Sequence, residues 1–381
     1  MPQPQFHSTA PSTRAHQPRT LAASLATMID QQVTISGWLM TRRDLGAVSF
    51  LVVRDRSGTA QVVVESEELR EKLAGLQVES VVAIHGRVVA EPRARGGAEL
   101  HAHDIDILAQ VSEPLPFEIN RKTLAPSLDI WLDRAPLALR HESKRAALEI
   151  TAALVDGYRS ALRQRGFVEI FTPKIVGSAT EGGANVFPVA YFGRDAYLAQ
   201  SPQLYKQIMV GVHERVFEVG PVFRAEPHAT TRHLNEYISL DLEMGFIQDH
   251  RDVMALIAEL LREMLAAIGE RAGAALETLG VTLPAVGDIP IVGFSEAQEI
   301  ILREFGEDAR GEPDLAPQHE RWLGEWARRE HNSEWIFVEG YPTAKRPFYT
   351  MPNPEAPAAS NSFDLLFRGL ELITGGQREH R

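Results

Sequence analysis

The residues best equipped for chemistry lie in the second half of the sequence. Val222-Phe223-Arg224-Ala225-Glu226 sets an arginine and a glutamate two positions apart. On a strand that spacing points both side chains to one face, where they can hold a phosphate and an amine together. On a solvated surface the same pair would merely neutralise itself. A polar loop through Arg232-His233 follows. Tyr237, Ser239, Asp241 and Glu243 then alternate with Ile238, Leu240, Leu242, Met244 and Phe246, and this period of two predicts a long strand with one apolar face and one acidic face. Upstream, Arg165 to Ile175 couples a helix end to a strand expected to stop at Pro173.

Several common chemistries are excluded. No lysine follows a glycine, so there is no P-loop, and no Gly-x-Gly opens a dinucleotide fingerprint. His-Glu-x-x-His and Gly-x-Ser-x-Gly are also absent. With no cysteine among 381 residues, disulfides, thiolate catalysis and cysteine-held metals drop out. A composition of 44% hydrophobic and 24% charged residues suits a folded protein of two or three domains. The formal net charge of −12 argues against indiscriminate coating of nucleic acid but leaves room for a local basic face. No run approaches the ~18 apolar residues of a membrane span, and the first thirty positions lack a signal-peptide core. A cytoplasmic protein with no membrane partner is therefore expected.

The elements that must position these residues fall into two groups. Residues 1–20, rich in Pro, Ser, Thr, Gln and His, read as a mobile tail. Val33–Met40, Val48–Arg54, Ala60–Val64, Val81–Val89 and Glu99–Leu108 read as five short strands, with a hairpin turn at Asp55-Arg56-Ser57-Gly58. Five strands in so short a stretch predict a small all-β barrel of the OB-fold type over residues 21–111. Prolines 114, 116 and 126 mark residues 112–136 as a hinge. From 137 to 381 helices and strands intermix, predicting an α+β domain. One helix carries Ala147, Ile150, Leu154, Tyr158 and Ala161 and ends near Gly166; another starts at an Asp249 N-cap and is expected to stop at Gly269.

Arg165–Ile175 and the Arg224 segment resemble motifs 1 and 2 of the class II aminoacyl-tRNA synthetases. Thr180-Glu181-Gly182-Gly183-Ala184, the run Gln200–Gln207, and Phe363-Asp364-Leu365 through Gly369–His380 resemble the aspartyl-tRNA synthetases in particular, in their short archaeal-type form. The similarity extends over about residues 20 to 381. It implies a class II catalytic domain built on an antiparallel sheet behind an OB-fold anticodon-binding domain. The implied reaction is attack of the L-aspartate carboxylate on ATP, followed by transfer to the 3′ end of tRNA(Asp), with tRNA(Asn) a second acceptor left open. ATP as substrate, Mg2+, tRNA and a homodimer formed around motif 1 come with it.

The resemblance also implies roles for individual residues. Arg224 is the catalytic arginine, gripping the α-phosphate and the substrate carboxylate as a planar bidentate donor. Glu226, Arg232, His233, Leu234 and Glu371 join it around ATP. Asp364, Glu371 and Thr374 are the metal ligands, hard oxygen donors suited to magnesium. Aspartate is held by Glu181, Ser201, Gln203, Lys206, Arg224, Thr374 and Arg378. Lys206 and Arg378 neutralise its side chain, and two buried cations would be left uncompensated by asparagine. Arg43, Phe50 and Gln61 read the anticodon, although Phe50 on its own sequence context, in an apolar run, reads more often as barrel core.

An asparaginyl-type paralogue, a synthetase-derived amidotransferase-like paralogue and a non-catalytic tRNA-binding or dimerising remnant are the alternatives. The first should lack the Lys206 and Arg378 pairing and the second should lack the barrel. By the same resemblance, a third motif with an adenine-packing arginine is expected beyond Arg381, so that on the order of fifty residues of the family pattern are absent.

Overall fold

A computed structural model describes residues 18–121, 123–124, 126–179, 186–227 and 234–380. The chain divides into two compact units between His141 and Glu142. In the first, β1 (Gln32–Leu45), β2 (Val48–Arg54), β3 (Thr59–Val64), β4 (Val81–Ala90) and β5 (Ala98–Ala109) close a barrel in the order β1-β2-β3-β5-β4. Leu39, Leu51, Val62, Ile84, Leu100 and Ile105 fill it. The Asp55 turn forms because its Oδ1 accepts the N–H groups of Ser57 at 2.7 Å and Gly58 at 3.2 Å. β1 runs past its expected end at Met40, since its hairpin with β2 stays paired to Leu45–Val48. A short α1 (Glu67–Lys72), unforeseen, is capped by Ser66 and drops Leu69 into the core.

The stretch expected to be a hinge is helical in its second half, as α2 (Leu128–Asp133) and α3 (Ala135–Ala138), and belongs to the first unit. Proline forbids helix only on its N-terminal side. Pro126 precedes the N-cap residue Ser127, and Pro136 sits in the first turn of α3, where a missing N–H costs nothing.

The second unit runs α4 (Glu142–Gln164), β6 (Val168–Glu169), β7 (Ile175–Val176), β8 (Pro188–Tyr191), β9 (Arg194–Leu198), α5 (Gln203–His213), β10 (Arg215–Phe223) and β11 (Glu236–Met244). After these come α6 (His250–Arg271), α7 (Gly273–Leu279), β12 (Ile291–Gly293), α8 (Phe294–Phe305), α9 (Pro317–His331), β13 (Trp335–Glu339), β14 (Ser362–Phe367) and β15 (Leu370–Gly376). Among the described residues the strands of this unit form a small sheet, β7-β9-β8, and two others, β11-β10-β6 and β12-β13-β14-β15, that pack on helices. α6 serves both. Leu256, Leu260 and Met264 pack with Phe217 of β10 and with α4, while Met254, Ile257 and Leu261 pack with Trp335, Phe337, Phe363 and Leu365.

Two expected boundaries are corrected. α6 passes through Gly269 to Arg271, because a helical glycine costs only about 1 kcal/mol and buried Ile268 and Ala272 hold the last turn. The strand expected to reach Pro173 ends at Glu169. Beyond Ile170, which still donates to the Phe217 carbonyl, the N–H and hydroxyl of Thr172 turn to the Glu218 carboxylate at 2.9 and 2.7 Å.

The β14–β15 turn rests directly on α9. A Cβ on Gly324 would lie 2.6 Å from the Gly369 nitrogen, and one on Gly369 would lie 2.5 Å from Arg321 Cα. Gly369 also has φ +76°, where a side chain is strained. Among the described residues no helix is long and apolar enough to cross a membrane.

Candidate active site

The strict alternation of β11 sends Leu240, Leu242 and Met244 to the α6 side and leaves Asp241 and Glu243 on the other. The first turn of α5 brings Gln203 and Lys206 to these acids. Lys206 Nζ is 2.8 Å from Asp241 Oδ1 and 3.6 Å from Glu243 Oε2. Arg378, just beyond β15, forks onto Glu243 at 2.7 and 3.0 Å and donates to Gln203 Oε1 at 2.9 Å. Its guanidinium lies 5.2 Å from the Tyr349 ring centre, and Ser201 Oγ accepts the Gln203 N–H at 3.1 Å. Burial pushes both carboxyls up, yet the cations win: Lys206 holds Asp241, and Arg378 with Lys206 holds Glu243, below the usual range.

This geometry corrects the expected basis of selectivity. Lys206 and Arg378 are not bare charges awaiting a carboxylate, because Asp241 and Glu243 match them one for one. A carboxamide entering here would not leave a surplus of two positive charges. The signal was present in the acidic face of β11, but nothing in the sequence said that α5 and the segment after β15 would meet it.

Arg224 and Glu226 also differ from expectation. β10 ends at Phe223, and the Glu226 N–H folds back onto the Arg224 carbonyl at 2.8 Å, so the two do not share a strand face. Pro227 follows and cannot donate to a ladder. The Arg224 N–H donates to the Asn235 carbonyl at 2.9 Å, and its guanidinium lies 5.9 Å from the Tyr237 ring centre. Its Nε is buried without a hydrogen-bond partner among the described residues, a donor still to be satisfied. Leu234 is exposed. Glu181, Arg232 and His233 lie outside the described residues.

Asp364 on β14 faces Thr374 on β15 in register. The Thr374 hydroxyl donates to Asp364 Oδ1 at 2.6 Å. Glu371 stands three positions before Thr374 on β15, and its backbone N–H donates to Glu320 at 3.3 Å. One further residue, not foreseen, completes the cluster. Arg346 donates to Asp364 Oδ2 at 2.9 Å and to Thr374 Oγ1 at 3.1 Å, and stacks 4.0 Å from the Tyr341 ring centre. Burial disfavours its charge, but Asp364 more than restores it. Arg346 carried no sequence signal; an Arg-Pro in a loop is unspecific. Two carboxylates and a hydroxyl fit magnesium, which binds through one or two carboxylates and fills its shell with phosphates and water. They do not make a protein-only cage, consistent with no cluster of three metal-ligating acids or histidines among the described residues.

In the barrel, Arg43 lies directly opposite Phe50, and Val52, two residues along β2, lies opposite Gln61. The period of two therefore sets Arg43, Phe50 and Gln61 on one face. Ser49, Leu51 and Val53 take the other, and Phe50 is half-buried and absent from the core cluster. Gln61 Nε2 donates to Glu99 at 2.7 Å. A separate cavity of about 760 Å³ in the second unit is lined by His250, Glu339, Asn361 and Gln377 among others and by none of the expected site residues.

Comparison with known proteins agrees with both units. Residues 127–381 match the family of class II tRNA synthetases (D, K and N), and residues 33–108 match an OB-fold nucleic acid binding domain. The chain thus belongs to the class II aminoacyl-tRNA synthetases of the D, K and N group. It is 47% identical to an aspartate–tRNA(Asp/Asn) ligase of Thermus thermophilus, over 95% of this chain and 84% of that one. It is 43% identical to the enzyme of that name from Aeropyrum pernix, over 95% and 83%. Among solved structures it resembles an asparaginyl-tRNA synthetase from Pyrococcus horikoshii complexed with asparaginyl-adenylate, with TM-score 0.85 and 33% identity over 93% and 81% of the two chains. An aspartyl tRNA synthetase from Entamoeba histolytica gives TM-score 0.85 and 29% identity over 99% and 82%.

Proposed function

We propose that this chain is an aspartate–tRNA ligase that converts L-aspartate and ATP to aspartyl-adenylate and passes the aspartyl group to the 3′ end of tRNA(Asp) and of tRNA(Asn). The arrangement that carries the reading is the pairing of Lys206 and Arg378 around Gln203 and Glu243, two cations fixed in position by buried acids. The dual tRNA specificity in the relatives' names supports the second acceptor.

The nucleophile, an ionised carboxylate, needs no general base, so the residues act by placement and charge neutralisation. Arg224 takes the α-phosphate and the reacting carboxylate, satisfying its unpartnered Nε. Lys206 and Arg378 direct donors at the aspartate side chain, with Ser201 and Gln203 on the same wall and Glu181 closing from its loop. Thr374 borders the amino acid as well as the metal. Glu226, Arg232, His233, Leu234 and Glu371 surround ATP. Magnesium brought with ATP would neutralise phosphate charge, held by Asp364, Glu371 and Thr374.

Arg43, Phe50 and Gln61 meet the anticodon, the ring by stacking and the polar groups at base edges. A cytoplasmic homodimer is part of the same reading. Phe171, 82% exposed beside Pro173, supplies apolar surface for a twofold contact.

Pyrophosphate exchange with aspartate and with asparagine, together with charging of tRNA(Asp) and tRNA(Asn) transcripts, tests the reading. Exchange with aspartate and charging of both transcripts are expected. Exchange with asparagine alone would replace this function by that of an asparaginyl enzyme.

A further inference from the structure

We propose that Arg346 is the resident counter-cation of the Asp364–Glu371–Thr374 nest, closing it to a free divalent ion and ceding it to a metal that arrives on nucleotide phosphates. The inference rests on the reading of that nest as the metal site. Its first support is occupancy. Arg346 spends its two terminal nitrogens on Asp364 Oδ2 and Thr374 Oγ1, two of the groups a metal would need, while Thr374 takes the other Asp364 oxygen. The guanidinium matches the charge of Asp364, the carboxylate it holds. A lone divalent ion would have to displace a well-placed cation to reach it.

The second support is where the partners are mounted. Asp364 and Thr374 are cross-strand partners on β14 and β15 and keep their places. Arg346 follows a single helical turn, Thr343–Lys345, and precedes Pro347, in a loop between β13 and β14 whose neighbours Lys345 and Phe348 are exposed. Arg346 itself lies in no strand, so moving its side chain off Asp364 breaks no ladder. The third support is the unfinished hydrogen bonding of Arg346, whose Nε is buried without a partner among the described residues. Phosphate oxygens suit the guanidinium fork at least as well as Asp364 does. Nucleotide therefore compensates Arg346 for the carboxylate it gives up, and a free metal ion offers it nothing.

Mn2+ titration followed by electron paramagnetic resonance, without ATP, tests this on the whole chain. Arg346→Met should bind Mn2+ at least tenfold more tightly than the wild type, and Arg346→Lys, which keeps the charge, should stay within a few-fold of it. Adding Asp364→Asn to Arg346→Met should abolish the gain. Equal affinities in the wild type and Arg346→Met, or a gain that survives Asp364→Asn, would overturn the proposal. Arg346→Gln carries the same expectation should the methionine variant not fold by circular dichroism. Asp364→Asn alone, titrated with Mn2+ and ATP, checks the underlying reading separately. Lost affinity upholds the nest as a metal site, and unchanged affinity removes it.

Discussion

Lys206 and Asp241 form a pair with an Nζ–Oδ1 separation of 2.8 Å and side chains only 5% and 16% exposed. Glu243 lies 3.6 Å from the same ammonium and completes a buried acid–base lattice with Arg378. Removing Asp241 takes from Lys206 its nearer partner and leaves Glu243 at 3.6 Å. Asp241→Ala should therefore cost about 1.5–3 kcal/mol of unfolding free energy, the range of a hydrogen bond to a charged group, measured by urea titration. A loss under 1 kcal/mol would show that water reaches Lys206.

The same lattice fixes a pH dependence. Asp241 and Glu243 have folded pKa values below their ordinary values near 3.8 and 4.5. In acid the unfolded chain then binds more protons than the native one, so protonation favours unfolding. Their contribution should be fully present above about pH 5 and should disappear as pH falls through the folded values. Glu243→Gln should flatten the decline of stability between pH 5 and pH 3, and a slope identical to the wild type would contradict the assignment.

The two cations proposed to hold the aspartate side chain, Lys206 and Arg378, should each matter for catalysis. Lys206→Ala and Arg378→Ala are expected to raise the aspartate KM and lower kcat/KM by roughly 10- to 150-fold, the ~1.5–3 kcal/mol of a hydrogen bond to a charged group. Pyrophosphate exchange reads this without tRNA. Unchanged kinetics in both variants would remove these residues from the pocket.

The role proposed for Phe50 can be tested apart from the chemistry. Phe50→Ala should weaken charging by the ~1–3 kcal/mol of a stacked base while aspartate-dependent exchange survives. Since Phe50 lies outside the barrel core, its thermal midpoint should fall little. A loss of charging accounted for by unfolding of the barrel would return Phe50 to a packing role.

The proposed twofold assembly uses the apolar surface around motif 1. Sedimentation at micromolar concentration should give a twofold assembly, and Phe171→Asp should shift it toward the monomer, because a charge at a closed apolar contact loses its hydration. A wild-type monomer would refute the interface.

Local signals made much of this molecule legible. The barrel strands fall within a residue or two of their expected bounds, β1 apart, because alternation and turn chemistry are short-range. The N-cap at Asp249 and the two faces of β11 follow for the same reason. What could not be read depends on distant partners. Glu218 ends the motif 1 strand from 46 residues away, and Glu243 meets Arg378 across 135 positions. Arg346 reaches Asp364 from a loop with no pattern of its own. The family resemblance supplied Lys206 and Arg378 as ligands of substrate but omitted the acids that hold them.

The contact between Gly324 and Gly369 has a bearing on where this enzyme can vary. A hairpin seated on bare backbone has its height set by α9, as a shelf sets the height of what stands on it. Asp364 and Thr374 ride on that hairpin as cross-strand partners, so they rise or tilt together. A single methyl group at position 324 would act as a shim, lifting both by the same movement while every charged group of the site kept its identity. Control over the alignment of the nest therefore extends to a helix face that contributes no atom to it, and what that face contributes is the absence of a side chain.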